Sequence, residues 1–139
     1  MNKFKEIRPV ALGLAIKDGK LLVSEGYDSK KNQTFYRCLG GGIEFLETSQ
    51  EAIKREFKEE IGADITVKDF LGISENIFTF EGKNGHEIIF LYTVELKDSD
   101  YKNEYSIIDE VNSTAKWIDI QAFKNKEKIV YPTEILNYL

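Results

Sequence analysis

The sequence predicts an α+β fold in which helices cover a mixed sheet. Three observations carry that expectation. Apolar segments of strand length recur along most of the chain, separated by Gly, Asp and Asn turn signals. One long helical pattern stands mid-chain, framed by Thr48 and Glu51 at its start and Gly62 at its end. One or two short helices close the chain. The length of 139 residues predicts one domain spanning 1–139. A chain of that length buries roughly two-thirds of its unfolded surface and needs no covalent staples.

The elements follow in order. Pro9 to Ile16 reads as a buried strand, Asp18-Gly19 as a tight hairpin turn, and Lys20 to Glu25 as the returning strand. Glu25 to Gln33 is polar and loop-like. Phe35 to Leu39 is a short apolar segment stopped by Gly40-Gly41-Gly42. A helix is expected from Ser49 to Ile61. Ile65 to Phe70, Ile73 to Phe80 and Glu87 to Leu96 read as three strands, the last two joined across Gly82 to Gly85. Lys97 to Tyr105 reads as an exposed loop and Ala115 to Ile118 as a strand. Asp119 caps a short helix from about Ile120, and Pro132 suits the first turn of a C-terminal helix ending near Leu139.

Composition excludes several classes. Hydrophobic residues at 42% with charged residues at 31% argue against disorder. A single cysteine, Cys38, cannot form an intrachain disulfide, which fits a reducing compartment and a cytoplasmic location. A net charge of -5 supplies no cationic excess for nonspecific nucleic-acid binding, so no nucleic-acid partner is expected. The longest apolar stretches fall far short of the roughly 20 residues of a membrane span, and no membrane partner is expected. Lys3, Lys5 and Arg8 before Val10 to Ile16 faintly suggest a secretory leader. The run is at the short limit and no small-residue cleavage site follows, so the strand reading is preferred.

The mid-chain helix carries an arrangement that charge alone disfavours. At about 100° per residue, Glu56, Glu59 and Glu60 share one arc about 100° wide, directly beside the apolar stripe of Ile53, Phe57 and Ile61. Like charges at this spacing each cost a few tenths of a kcal/mol. A divalent cation would reverse the sign, because clustered carboxylate oxygens suit Mg²⁺ or Mn²⁺. The plainer alternative is a solvated face relieved by Lys54 and Lys58. Immediately upstream, the triple glycine permits close backbone approach to a ligand.

Together these residues resemble a known signature. Gly41, Glu47 and Arg55-Glu56-Phe57-Lys58-Glu59-Glu60-Ile61-Gly62-Ala63 are similar to the Nudix box of the Nudix hydrolases. Seven fixed positions match (Gly41, Glu47, Arg55, Glu56, Glu59, Glu60 and Gly62). At background frequencies the chance of that is on the order of 10⁻⁸ to 10⁻⁹ per starting point. Leu39, Phe57 and Ala63 depart from the usual residues without touching a carboxylate. The resemblance extends loosely over the whole chain and implies the Nudix fold, an α/β/α sandwich around a mixed sheet.

The resemblance also implies a chemistry: metal-dependent cleavage of a diphosphate bond in nucleoside diphosphate-linked compounds. Glu56, Glu59 and Glu60 would be metal ligands, with the Gly40 carbonyl as another. Glu59 or Glu60 would also accept a proton from the attacking water, while Glu47 and Arg55 brace the loop against the helix. Direct phosphate contact is the alternative role for Arg55. A further carboxylate is implied in a loop before the strand that carries Trp117. Glu110 is the first candidate there, ahead of Glu104, because an extended segment of seven residues spans roughly 23 Å.

Arg37 and Arg8 are candidate substrate contacts, with a plain surface arginine as the other reading of each. Tyr27, Phe35, Phe78 and Phe80 are candidates for stacking on a base. Cys38 reads as a packed strand thiol and His86 as structural. The prolines or tyrosines typical of ADP-ribose and dinucleoside polyphosphate subclasses are replaced by Phe78, Thr79 and Phe80. A nucleoside triphosphate or nucleotide-sugar substrate is therefore the first expectation, acted on by a monomer or homodimer. A Nudix-fold module that binds nucleotide or RNA without turnover is the alternative. Its usual mark is a damaged carboxylate set, and this set is intact.

Overall fold

The computed structural model describes residues 5–108 and 113–139. Strand β1 (Ile7–Lys17) turns at Asp18-Gly19 into β2 (Lys20–Asp28), followed by β3 (Gln33–Gly42) and helix α1 (Ser49–Ile61). Then come β4 (Ile65–Phe80), β5 (Lys83–Leu96), β6 (Glu104–Ser106), β7 (Thr114–Asp119) and the short α2 (Ile120–Lys124). A 3-10 turn at Asp98–Asp100 and a 3-10 helix at Thr133–Tyr138 complete the order.

The strands form a seven-stranded sheet in the order β4-β5-β1-β3-β2-β7-β6. The β1–β5 pair is parallel and the other pairs are antiparallel, so the sheet is mixed as expected. Because strand side chains alternate between faces, β1 sends Ala11 and Ala15 to one side and Val10, Leu12 and Leu14 to the other. Ala11 and Ala15 pack with Ile53, Phe57 and Val94 under α1. The second set packs with Ile89, Leu91, Phe123 and Ile135 under the C-terminal segments. The result is the helix–sheet–helix sandwich that the sequence implies.

Helix α1 begins and ends where the sequence places it. Thr48 Oγ1 accepts from the Glu51 amide at 3.2 Å, and Glu51 returns the contact to the Thr48 amide at 3.1 Å. Gly62 closes the helix in the left-handed conformation, φ 69°. The helix lies close on the sheet at Gly13, where a Cβ would stand 2.9 Å from the Phe57 ring and 3.1 Å from Ile53.

Six expectations are corrected. Strand β2 continues to Asp28, because Glu25 and Tyr27 take the exposed side while the backbone stays paired with β3 as far as Asp28–Gln33. The glycines do not stop β3; Gly40, Gly41 and Gly42 pair with Leu12, Ala11 and Val10. The two strands expected over Ile65 to Phe80 are one strand, β4, with irregularities near Phe70 and Gly72. Its turn to β5 is Glu81-Gly82, with φ 52° and 75°, and Asn84 and Gly85 lie inside β5. The segment before β7 is not plain loop: Tyr105 in β6 is buried, donating its hydroxyl to the Asp100 carbonyl at 2.7 Å. At the chain's end Pro132 precedes a 3-10 helix rather than starting an α-helix.

Gly13→Ala should cost about 1–3 kcal/mol by overpacking the α1–sheet contact. Urea denaturation should show the loss as a lower midpoint with an unchanged slope.

Candidate active site

The loop from Ile43 to Thr48 joins β3 to α1, and Arg55 fixes it in place. Arg55 Nε and Nη2 donate to the two carboxylate oxygens of Glu47 at 2.8 and 2.9 Å. Nη2 also donates to the Gly42 carbonyl at 2.9 Å. Nη1 donates to Glu56 at 2.9 Å and to Glu59 at 3.2 Å. Glu44 lies 3.6 Å from the same guanidinium and donates its amide to Glu47 at 3.1 Å. One planar fork thus ties loop, strand end and helix arc together. The Arg55 hydrogen bonds hold the Glu47 carboxyl below its ordinary range, against a smaller opposing effect of burial. Glu47 in turn raises Arg55 above its ordinary value.

Glycine at position 41 has a steric cause. A Cβ there would stand 2.7 Å from the Glu56 carboxylate, which lies directly on the strand backbone. At Gly40, with φ 143°, a Cβ would meet the Ala11 carbonyl oxygen at 2.1 Å. The glycine run is therefore a strand end thin enough for β1 and the helix carboxylate to close on it. Glu56 and Glu60 are half-buried and Glu59 is exposed, so the arc borders the core as the helical periodicity predicts.

Glu56 and Glu59 converge on one cationic point, Arg55 Nη1. Among the described residues no three acidic, histidine or cysteine side chains converge closely enough to cage an ion. Two carboxylates completed by water and substrate phosphates are what Mg²⁺ ordinarily takes, in place of an all-protein cage. The donor set fits an ion of that kind. The amide of Ile108 donates to the Glu60 carbonyl at 2.9 Å, which attaches the segment after β6 to the end of the arc. Glu110 lies outside the described residues. Glu104 is in β6, paired with Lys116.

A cleft of about 580 Å³ is lined by residues of β1, β3, β4, β5 and the segment after α2. Arg8 and Arg37 meet in it, both on the buried Glu87: Arg8 Nη1 donates at 3.3 Å and Arg37 Nη2 at 3.0 Å. Arg8 also reaches the glycine strand, where a Cβ on Gly42 would stand 3.2 Å from Nη2. Successive strand residues face opposite ways. Gly41 thus meets Glu56 on one face and Gly42 meets Arg8 on the other, and the strand end alone separates arc from cleft.

Three of the four candidate stacking residues line this cleft. Phe35 lies over Gly26 and Phe78 over Gly85, each across a strand pair. Phe80 meets Phe35 edge-on at 5.9 Å. Tyr27 does not join them: it is exposed, with its hydroxyl on Asn32. Tyr131 completes the wall, 5.7 Å from Phe35, and His86 also faces the cleft. Cys38 is buried, and burial raises its thiol to about 12, so it stays protonated.

Sequence reasoning missed Glu87 and Tyr131. Glu87 carried a signal: an ionisable residue in register with buried Ile89 and Leu91 on one strand. Tyr131 carried none, because its place depends on the chain end pairing beside Tyr36.

Fold and site together set a glutamate-bearing helix against the glycine end of a strand in a mixed sheet. The family model for the NUDIX domain matches residues 7–136, and the chain belongs to the Nudix family. It is 35% identical over 105 residues to an ADP-ribose pyrophosphatase of Methanocaldococcus jannaschii. That match covers 70% of this chain and 59% of the relative. Among solved structures, a MutT NUDIX hydrolase from Burkholderia pseudomallei superposes with a TM-score of 0.70 at 18% identity, covering 95% of this chain and 96% of that one. A NUDIX hydrolase from Nitrosomonas europaea gives 0.66 at 19% identity, covering 95% and 85%. These likenesses are of fold. No helix among the described residues is long and apolar enough to cross a membrane.

The lowered Glu47 carboxyl makes stability pH-dependent. Its contribution is complete above the unfolded value of about 4.3 and is lost as pH falls through the lower native value. Glu47→Gln should flatten that acid limb, read as melting temperature against pH between about 5 and 2.

Proposed function

We propose that the protein is a divalent-cation-dependent pyrophosphohydrolase of nucleoside diphosphate-linked compounds, with a nucleotide sugar as the first substrate class. One observation carries the reading: an intact arc of Glu56, Glu59 and Glu60, whose first two members Arg55 holds, stands across one glycine strand from a cleft with an arginine pair and aromatic walls. The arc repels a naked diphosphate, so the two can meet only through cations.

Glu56 and Glu59 would hold the metal, Mg²⁺ or Mn²⁺, with Glu60 and the Gly40 carbonyl as further candidate ligands. When bound, such ions polarise phosphoryl oxygens and lower the pKa of a coordinated water. Glu59 or Glu60 accepts the proton that the attacking water gives up. Water adds to one phosphorus, the bridging oxygen leaves with the other, and two phosphate products result. Arg55 serves as a brace, because Nε, Nη1 and Nη2 are all engaged within the protein. Glu110 remains the first candidate for a carboxylate outside the box, since the residue before Asp109 is attached to Glu60.

Arg8 and Arg37 receive the phosphate farther from the arc. Phe35, Phe78, Phe80 and Tyr131 offer aromatic surface to a base or sugar. The likeness to an ADP-ribose pyrophosphatase favours a nucleoside diphosphate joined to a sugar over a nucleoside triphosphate. Phe78 fills the position where that subclass often has proline, and here it packs on Gly85.

The test is a phosphate-release screen over nucleotide sugars, triphosphates and dinucleoside polyphosphates with Mg²⁺ and Mn²⁺, with products identified by mass. Nucleotide sugars should give a nucleoside monophosphate and a sugar phosphate; no turnover of any class would sink the reading in favour of a binding module. Glu59→Gln and Glu60→Gln should each lower turnover at least about a hundredfold while the fold survives.

A further inference from the structure

We propose that Glu87 is a positioning residue that sets Arg8 and Arg37 as a two-pronged clamp for the substrate's outer phosphate. Three strands deliver the parts. Glu87 stands in β5 directly beside Arg8 in β1, in the parallel register, and Arg37 reaches the same carboxylate from β3. Glu87 is buried, with 3% of its surface exposed, so its charge requires partners. The two arginines remain open to the cleft, their side chains 42% and 29% exposed.

Each guanidinium spends a single N–H on Glu87. A guanidinium has five, and neither guanidinium makes another hydrogen bond among the described residues. The remaining donors suit the oxygens of a phosphate. Two bare guanidinium groups would repel and splay; one carboxylate between them cancels that repulsion and fixes both long side chains before substrate arrives. Glu87 touches no substrate in this scheme and acts through the arginines alone.

The inference rests on the nucleotide reading above, and binding separates the two. The probe is ADP with saturating Mg²⁺, measured by titration calorimetry. Glu87→Gln should weaken ADP at least tenfold and raise KM in parallel, with kcat falling less than threefold. Arg8→Ala/Arg37→Ala and the same variant with Glu87→Gln added should bind ADP equally, because the carboxylate then has nothing to position. A merely structural role would not produce that cancellation. If Glu87→Gln fails to fold, the Arg8→Ala/Arg37→Ala/Glu87→Gln variant, which buries no unpaired charge, is compared with Glu87→Asp. Glu87→Asp keeps the charge but is too short to reach both arginines, and should lose affinity part-way. Wild-type or tighter ADP binding by Glu87→Gln, a further loss in the arginine-free background, or no ADP binding by the natural protein would each overturn the inference. ADP binding that depends on both arginines and Glu87, with no hydrolysis of any substrate, would sink the hydrolase reading and leave this one standing.

Discussion

The Arg55 guanidinium is the constraint on which the site depends. Without it, Glu47, Glu56 and Glu59 would place three carboxylates around one loop with nothing but water between them. With it, attraction to one shared cation outweighs their mutual repulsion and holds the loop to the helix. The bidentate bond to Glu47 and the bond to the Gly42 carbonyl fix the direction of the fork. Nη1 can then sit only where Glu56 and Glu59 both reach it. A lysine would keep the charge but lose the plane, and with it the ability to serve loop, strand and helix at once.

The sheet explains why the glutamate arc and the cleft lie on opposite faces of one strand yet remain neighbours. Strand geometry points adjacent side chains in opposite directions, and bulky residues at Gly41 and Gly42 would push the two apart. Glycine at both positions thins the partition to backbone. Glu56 on one side and Arg8 on the other are separated only by the thickness of β3.

Much of this was legible in the sequence, for physical reasons. Local signals were reliable: the Thr48–Glu51 box and Gly62 delimit α1 because capping is settled by residues within a single turn. The acidic arc followed from helical geometry, and the box from its spacing. Elements that depend on distant partners were harder to read. Glycines that normally end a strand continue β3, because Ala11 approaches too closely for any side chain at Gly40. Gly82 to Gly85 looks like one long turn, but pairing with β4 draws Asn84 and Gly85 into β5. Glu87 reads as one charge in an apolar run, and its meaning depends on two arginines 79 and 50 residues away.

The attachment of Tyr131 carries a consequence for motion. The strand edge left open where β1 parts from β3 is covered by Val130, through backbone bonds of 2.8 Å from Tyr36 to Ile129 and 2.9 Å from Tyr131 to Tyr36. Those two bonds and the Tyr131 hydroxyl on Gln33 fasten one wall of the cleft, whereas the other walls are woven into the sheet. That wall therefore opens only when these bonds break and Val130 leaves the core. Amide exchange at Tyr36 and Tyr131 measures how often it does so, and any ligand gripped by that wall slows the exchange by mass action.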